Sequence, residues 1–394
     1  PPTMKKYHLF PFAPIFLFTF LAACNQSADK PAKAAAAEKP VKPDLYLYTV
    51  MVNDLNLREQ AGKSGKVLSM LPEASFVEGD GSVSAEREEV TLRGIFHNEP
   101  YVKITGPGEL KGWAYGGALE CFFAGTRAGM PDLQKIGQLT GFLKTLNTKE
   151  LISGKKAWEM VQNQFGNVSG STADAVFVLL EAFLQHMEAE GTYYTLTESL
   201  DWTDEDYQAI DGNKYDMSKK PVTQSLKNSG FSLAAGEGMV FPVVDWFRLR
   251  AFFSDKVTPP MKRFIELGTE EQHIAIWDDG GIIVPLEVLA ARAIAWEQFN
   301  REYPYFLLGD RTRESERWMR FVLICGADNT PVFDYDSKEI EQDFKKVWAY
   351  IQEQYPGSKL AGAVKEIADL CAAESWKMTP KVEAWRIKFA AENN

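Results

Sequence analysis

The sequence predicts a multi-domain chain in which a small all-β domain is followed by a mostly α-helical domain with one small β-hairpin. Short segments rich in β-branched and aromatic residues, separated by turn residues, fill positions 44–123 and predict a small barrel or sandwich. From position 130 onward, apolar residues recur at spacings of three and four, which is the period of amphipathic helices. One Asp-Asp-Gly-Gly turn at 278–281, between two apolar runs, predicts the hairpin.

Residues 1–23 have the composition of an export signal. Lys5 and Lys6 precede an apolar run at 9–21, and two alanines follow it. A basic end, a short apolar stretch and small residues at the cleavage point are the parts of such a signal. The run is shorter than the roughly 20 apolar residues that cross a bilayer, so it does not predict a membrane span.

The segment Leu21-Ala22-Ala23-Cys24 resembles the lipobox of bacterial lipoproteins. The resemblance implies a diacylglycerol on the Cys24 thiol, cleavage before Cys24 and acylation of the new N-terminus; the alternative is an ordinary signal peptide with an incidental cysteine. Two or more acyl chains hold a protein stably on a membrane, which would be the partner of this end of the chain. Asn25 after the cysteine resembles an outer-membrane address, so the implied location is the cell envelope, on the outer membrane facing the periplasm.

Residues 24–43 are dominated by Ala, Lys and Pro after the cysteine. Large apolar side chains are nearly absent, so the segment cannot bury enough surface to fold. We expect a disordered tether that holds the folded part away from the membrane, with its prolines keeping part of it extended.

The β domain, 44–123, resembles a bacterial SH3 domain. The segments that carry the resemblance are LNLRE at 55–59, GKVL at 65–68 and GWAYGGAL at 112–119. In that family the Asn-Arg strand opens a small barrel and the Gly-Trp-aromatic strand closes it. The resemblance implies an SH3-like barrel that binds peptide or cell wall without catalysis. The chain departs from the family at Tyr101, where a Trp is usual, and in the long acidic stretch 79–90.

Short strands are predicted at 45–52, 55–58, 66–71, 75–77, 90–96 and 101–105. Four aromatic residues of this domain are candidates for a stacking face against sugar or peptide: Tyr48, Tyr101, Trp113 and Tyr115. The alternative is that these rings fill the core, since small domains bury a modest share of their surface and need their aromatic residues there.

The helical domain, 130–394, resembles no family that we can name. A nearly all-apolar helix is predicted at 172–190 and should be buried in the centre of the domain. Further helices are predicted at 284–303, at 311–325, from 340 to a stop at Pro356-Gly357, around 360–371, and from Pro380. Asp336 and Glu339 have the spacing of a capping box for the helix that follows them.

Signatures of catalysis and metal binding are missing from the sequence. It contains no His-Glu-x-x-His, no Gly-x-Ser-x-Gly and no P-loop, so we expect no cofactor and no metal. Cys325 and Cys371 lie among apolar residues, where a thiol is inert. Glu198-Ser199 matches the Glu-Ser pair of lytic transglycosylases only as a dipeptide, and the acidic run 201–206 lacks EF-hand spacing.

Asp245 is the most unusual carboxylate, because it lies in the apolar stretch 239–247. A buried carboxylate must be paired or functional, so we expect Arg248 or Arg250 as its partner, or a ligand. The Gly236-Glu237-Gly238 segment indicates a tight loop rather than a dinucleotide site.

A formal net charge of −11 argues against nucleic acid as a partner, because phosphate binding depends on Lys and Arg. The hypothesis is a non-catalytic envelope lipoprotein whose SH3-like domain binds cell-wall glycan, peptide or a protein partner. The alternative is a peptidoglycan-processing hydrolase with an acidic active site in the helical domain, at residues such as Glu198 or Asp245.

Overall fold

The computed structural model describes residues 41–190 and 193–393. The predicted signal, the lipidation site Cys24 and most of the tether lie outside the described residues. The N-terminal region is one antiparallel sheet of seven strands in the order β3-β2-β6-β5-β4-β1-β7. The strands are β1 (Leu45–Val50), β2 (Leu55–Arg58), β3 (Val67–Leu71), β4 (Phe76–Leu92), β5 (Ile95–Thr105), β6 (Lys111–Tyr115) and β7 (Leu119–Gly125). Because β3 and β7 are the two edges of this order, the sheet is open.

The longest strands form a hairpin that the sequence did not predict. β4 has 17 residues and β5 has 11, and they pair from Glu78↔Thr105 to Leu92↔Ile95. The predicted strand 90–96 is therefore wrong, because it contains the hairpin turn at Arg93-Gly94, where both φ angles are positive (50° and 81°). Two such residues match the turn geometry that twisted hairpins prefer. Gly79 and Gly81, residues of a type that suits turns, lie inside β4 at an irregularity of the ladder.

The two faces of β1 belong to different cores. Successive residues of a strand point to opposite faces, which separates Leu45 and Leu47 from Tyr48 and Val50. The register shift between Leu47 and Tyr48 skips Phe122, so the bulge is in β7. Leu45 and Leu47 join the core of the helical region, together with Phe122 and Phe123 of β7. Tyr48 and Val50 join a separate core inside the sheet. One face of the sheet thus shares a continuous hydrophobic core with the helices.

The helical region contains 13 helices within the described ranges. They are α1 (Leu133–Leu143), α2 (Leu151–Phe165), α3 (Ser171–Ala189), α4 (Tyr194–Glu198), α5 (Asp204–Asp211), α6 (Pro221–Asn228), α7 (Trp246–Phe253), α8 (Pro259–His273), α9 (Leu286–Glu302), α10 (Gly309–Cys325), α11 (Gln342–Gln354), α12 (Lys359–Ala373) and α13 (Pro380–Asn393). Two hairpins accompany them, β8 (Phe231–Gly236) with β9 (Met239–Val244), and β10 (Trp277–Asp278) with β11 (Gly281–Ile282). Among these helices, none is long and apolar enough to cross a membrane.

Most of the predicted helices are confirmed. The nearly all-apolar run forms α3, whose side chains are buried along most of its length, and α9, α10, α12 and α13 begin within two residues of their predicted starts. The predicted β10–β11 hairpin is confirmed by the pairs Trp277↔Ile282 and Asp278↔Gly281. The β8–β9 hairpin is a second one, where the sequence predicted only a tight loop.

The predicted capping box at Asp336 and Glu339 is wrong. The helix begins later, at Gln342, and its first residues are preceded by a bridge between Phe333 and Ile340. In the loop, the Asp334 carboxylate accepts hydrogen bonds from the backbone N–H groups of Asp336 and Ser337. An Asp that closes a turn on its own backbone competes with helix initiation, and here the turn prevails.

Candidate ligand groove

A groove of about 290 Å³ opens between α4, α5 and the tip of the β8–β9 hairpin. Its lining is Tyr194, Thr197, Glu198, Leu200, Asp201, Trp202, Tyr207, Gly238, Met239 and Val240. Aromatic rings and two carboxylates therefore face one concave surface. This combination suits a ligand that has both a flat apolar face and polar groups.

Two hydrogen bonds and a ring stack hold the three aromatic side chains of the groove in place. The Tyr207 hydroxyl donates to the Gly238 carbonyl oxygen at 2.7 Å, and this bond ties α5 to the hairpin tip. Trp202 Nε1 donates to the Thr197 carbonyl oxygen at 3.0 Å. The Tyr194 ring stacks on Phe241, with centroids 6.1 Å apart and planes 15° apart. The rings are thus positioned before a ligand arrives, which reduces the entropy that binding costs.

Local sequence explains why the groove walls form. Glu237 and Gly238 have φ angles of 50° and 75°, the geometry of a two-residue hairpin turn, which brings β8 back as β9. The Thr203 hydroxyl accepts from the Asp206 N–H and the Asp206 carboxylate accepts from the Thr203 N–H, a capping box that fixes the start of α5.

Glu198 and Asp201 are the carboxylates of the groove. Both side chains are exposed, and within the described part of the chain no hydrogen bond or ion pair engages either carboxylate. The neighbouring Asp206 is buried and forms ion pairs with Lys219 at 3.2 Å and Lys220 at 3.8 Å. The sequence singled out Glu198 and the acidic run separately; the structure brings Glu198 and Asp201 into one groove.

The tyrosines predicted as a stacking face lie in the core of the sheet. Tyr48, Tyr101 and Tyr115 are 8%, 5% and 6% exposed. The Tyr101 hydroxyl donates to the Glu88 carboxylate at 2.5 Å, and the Tyr115 hydroxyl donates to the Glu88 carbonyl oxygen at 2.7 Å. Trp113 is half-buried on β6, opposite Arg58 of β2. The tyrosine rings therefore offer little surface to a ligand, and Trp113 offers more.

Asp245 caps a helix. Its carboxylate accepts from the Arg248 backbone N–H at 2.9 Å, at the N-terminus of α7. Burial raises the pKa of this carboxyl, and the hydrogen bond to Arg248 opposes the rise. The Arg248 guanidinium instead donates to the carbonyl oxygens of Lys227 and Asn228 and stacks over the Trp158 ring, 4.1 Å from its centroid. Asp245 lies outside the groove lining.

A row of carboxylates on α3, of which Asp174 and Glu181 are buried and Glu188 is half-buried, was not predicted from the sequence. Asp174, Glu181 and Glu188 are spaced by seven residues, and each has a partner from another element. Asp174 accepts from the Thr258 N–H and hydroxyl at 2.8 and 2.6 Å, Glu181 accepts from Arg311 at 2.9 and 3.0 Å, and Glu188 accepts from the Val244 N–H at 2.8 Å. The seven-residue spacing within an apolar helix was the available signal. Because their oxygens are engaged, these groups hold the fold together.

The buried carboxylates make stability depend on pH. Burial raises the pKa of Glu188 and of Glu271 to about 7, from 4.5. A raised folded-state pKa contributes stability that is fully present below the unfolded value and is lost as pH rises through the folded value. We therefore expect the free energy of unfolding in urea to fall between pH 5 and pH 8, by about 2–3 kcal/mol for Glu271.

Glu271→Gln should flatten this dependence, since the amide stays neutral, whereas Glu353→Gln on the exposed side of α11 should leave it unchanged. A free energy of unfolding that rises from pH 5 to pH 8 in the unsubstituted protein would show that these carboxylates are not the groups that dominate.

The three cysteines of the described residues are free. Burial raises the pKa of the Cys121 thiol to about 12 and that of Cys371 to about 11, and it also raises the pKa of Cys325. Thiols with such pKa values are poor nucleophiles at neutral pH. Within residues 41–190 and 193–393, no group of three or more His, Cys, Asp or Glu side chains is arranged to hold a metal ion.

Comparisons of the chain with protein families, with curated proteins and with solved structures find no match.

Proposed function

We propose that this protein is a lipid-anchored protein of the bacterial cell envelope whose folded part binds cell-wall glycan or peptide without catalysis. The observation that carries the proposal is the groove, in which three aromatic rings and two exposed carboxylates face one cavity of about 290 Å³. Cys24 would carry the lipid, and the Ala/Lys/Pro tether would let the groove reach the wall from the outer membrane.

The residue types of the groove suit glycan and peptide ligands. Aromatic side chains offer a large apolar face with a polar tip, and sugar rings and peptide bonds pack against such faces. Glu198 and Asp201 offer acceptors to hydroxyl, amide or amine groups. Hydrogen bonds already fix Trp202 and Tyr207, so little order is lost on binding.

We propose that the sheet is related to bacterial SH3 domains, and this relationship supports the same function. Such domains bind peptide or cell wall, and Trp113 with Arg58 would be the exposed part of a second contact. Because the sheet shares a core with the helical region, ligand bound at either place would be held by one body. An envelope protein partner is the other occupant that this arrangement suits.

The hydrolase alternative depends on Glu198 and Asp201, since both line the groove. A glycosidase needs one carboxyl that is kept protonated by a partly desolvated environment. Both groove carboxylates are exposed to water, and the groove lining contains no buried carboxyl group. Glu181 and Glu271, for example, lie elsewhere and are engaged by Arg311 and by Trp296. The geometry of the groove therefore supports ligand binding better than it supports hydrolysis.

Co-sedimentation with purified cell-wall sacculi tests the proposal. We expect the full chain, purified in detergent, to pellet with sacculi and to release no muropeptides. Trp202→Ala should weaken pelleting roughly 30-fold, because truncating a central aromatic contact costs about 2 kcal/mol. Trp113→Ala, the same change on the sheet, should weaken it less.

Circular dichroism would confirm that both variants fold. Release of muropeptides that Glu198→Gln abolishes would establish the hydrolase and overturn the binding proposal. If neither tryptophan substitution changes pelleting, the groove is not the site that binds the sacculi.

A further inference from the structure

We propose that the groove selects a cationic ligand, one that presents a primary amine beside a flat apolar face. This inference rests on the proposed function of the groove as the ligand site and adds the charge of the ligand. It depends on three features of the structure: exposed carboxylates around the groove, an excess of these carboxylates over the nearby lysines, and a groove ring that already lies against an ammonium group.

Carboxylates surround the groove on more than one side. Residues 193–240 contain eight acidic and four basic residues. Glu198 and Asp201 line the cavity, and Asp204 and Glu205 are exposed on the first turn of α5. Glu237 is exposed at the tip of the hairpin, next to the lining residue Gly238.

The acidic surface continues past the hairpin tip. Burial raises the pKa of Asp278, and repulsion from Glu237, Asp279 and Asp211 adds to the rise. Carboxylates from α5, the β8–β9 turn and the β10–β11 turn therefore lie within electrostatic range of one another. A concave surface lined by one sign of charge concentrates ligands of the opposite sign.

The nearby lysines do not cancel this potential. Lys219 and Lys220 form ion pairs with the buried Asp206, and Lys220 also donates to the Asp201 carbonyl oxygen at 2.7 Å. One carboxylate balances only one of these two lysines, so with Lys214 and Lys227 three positive charges of the segment remain, against the seven acidic residues besides Asp206. The exposed carboxylates are thus in excess.

One ring of the groove, Trp202, already lies against an ammonium group, and so does the ring of Tyr215 beside it, outside the groove lining. Lys220 Nζ lies 4.9 Å from the centroid of Trp202, and Lys219 Nζ lies 5.2 Å from that of Tyr215. A cation over such a ring gains about 0.5–2 kcal/mol, depending on how far it is desolvated. A ligand amine placed against Tyr194 or Tyr207, with Glu198 or Asp201 beside it, would gain from both the ring and the carboxylate.

A neutral glycan would gain only the stacking, and an anionic one would be repelled. In a cell wall, free amines belong to the diamino acids of the peptides and to amino sugars without their acetyl group. These are two sources of one chemistry, and a matched set of small ligands distinguishes them.

Isothermal titration calorimetry of the full chain would use three ligands: a trimer of glucosamine, the same trimer fully N-acetylated, and trilysine. We expect at least one amine ligand to bind ten times or more tightly than the acetylated trimer, and more weakly as salt rises. Binding of the glucosamine trimer would assign the amine to a sugar, and binding of trilysine would assign it to a peptide.

The double variant Glu198→Gln with Asp201→Asn should abolish the preference. The pair Asp343→Asn with Glu353→Gln makes the same charge change on exposed positions of α11 and should preserve it. Equal or tighter binding of the acetylated trimer, or pelleting with sacculi while both amine ligands fail, would overturn the cationic preference and leave the groove as a binding site. Failure of all three ligands and of sacculi would instead overturn the proposed function.

Discussion

Replacing Arg311 by alanine is expected to lower the free energy of unfolding by about 3–5 kcal/mol, because it leaves a buried carboxylate without its cation. The Arg311 guanidinium donates to both oxygens of Glu181, at 2.9 and 3.0 Å, and the Glu181 side chain is only 2% exposed. Glu120 of β7 lies within range of the same pair, and its pKa is raised to about 8 by burial and by repulsion from Glu181. Without Arg311, two carboxyl groups would meet where the sheet contacts the helices.

Urea unfolding of the single and double variants separates the charge from the packing. Arg311→Leu together with Glu181→Leu should recover most of the loss, since replacing a whole buried pair by apolar residues is often neutral or stabilising. A loss below about 1 kcal/mol for Arg311→Ala, the value typical of surface pairs, would show that water reaches Glu181 in solution.

Replacing Gly230 by alanine is expected to cost about 3 kcal/mol or more. Gly230 links α6 to β8 with a φ of 95°, a conformation that costs an L-residue about 1–2 kcal/mol. A Cβ placed there would lie 2.1 Å from Nε1 of Trp158, a side chain that is 1% exposed. Overpacking a filled core adds about 1–3 kcal/mol to the cost of the backbone.

Gly94→Ala is the matched control, because it isolates the cost of the backbone conformation from the cost of overpacking. Gly94 has a φ of 81°, but an added Cβ would meet no atom within 4 Å. Thermal or urea unfolding should show a loss of about 1–2 kcal/mol there. Equal losses at the two positions would mean that Trp158 moves aside without cost, contrary to a rigid core at this point.

Elements dominated by one pattern could be predicted from the sequence. The helix α3 follows from a continuous apolar run, and the β10–β11 hairpin follows from the Asp-Asp-Gly-Gly turn. The predictions failed where two local signals compete. Arg93-Gly94 and the glycines at 79–81 both suit turns, and only pairing across the long hairpin decides between them.

The candidate groove could be predicted only in pieces. Glu198 and the acidic run drew attention from the sequence alone, but Tyr207 contacts Gly238, 31 residues away, and local patterns do not encode that contact. For the aromatic residues of the sheet, in contrast, the sequence suggested a binding role that their burial does not support. Tyr48, Tyr101 and Tyr115 are conspicuous in the sequence, and folding places them inside the core.

Hydrogen–deuterium exchange of the full chain, with and without soluble fragments of digested cell wall, would test the central claim most directly. If the groove binds the ligand, amide exchange should slow upon ligand addition in α4, in the N-terminal half of α5 and at the β8–β9 turn, and Trp202→Ala should abolish this protection. Protection confined to β2 and β6 around Arg58 and Trp113, or no protection in the groove while the protein pellets with sacculi, would contradict it.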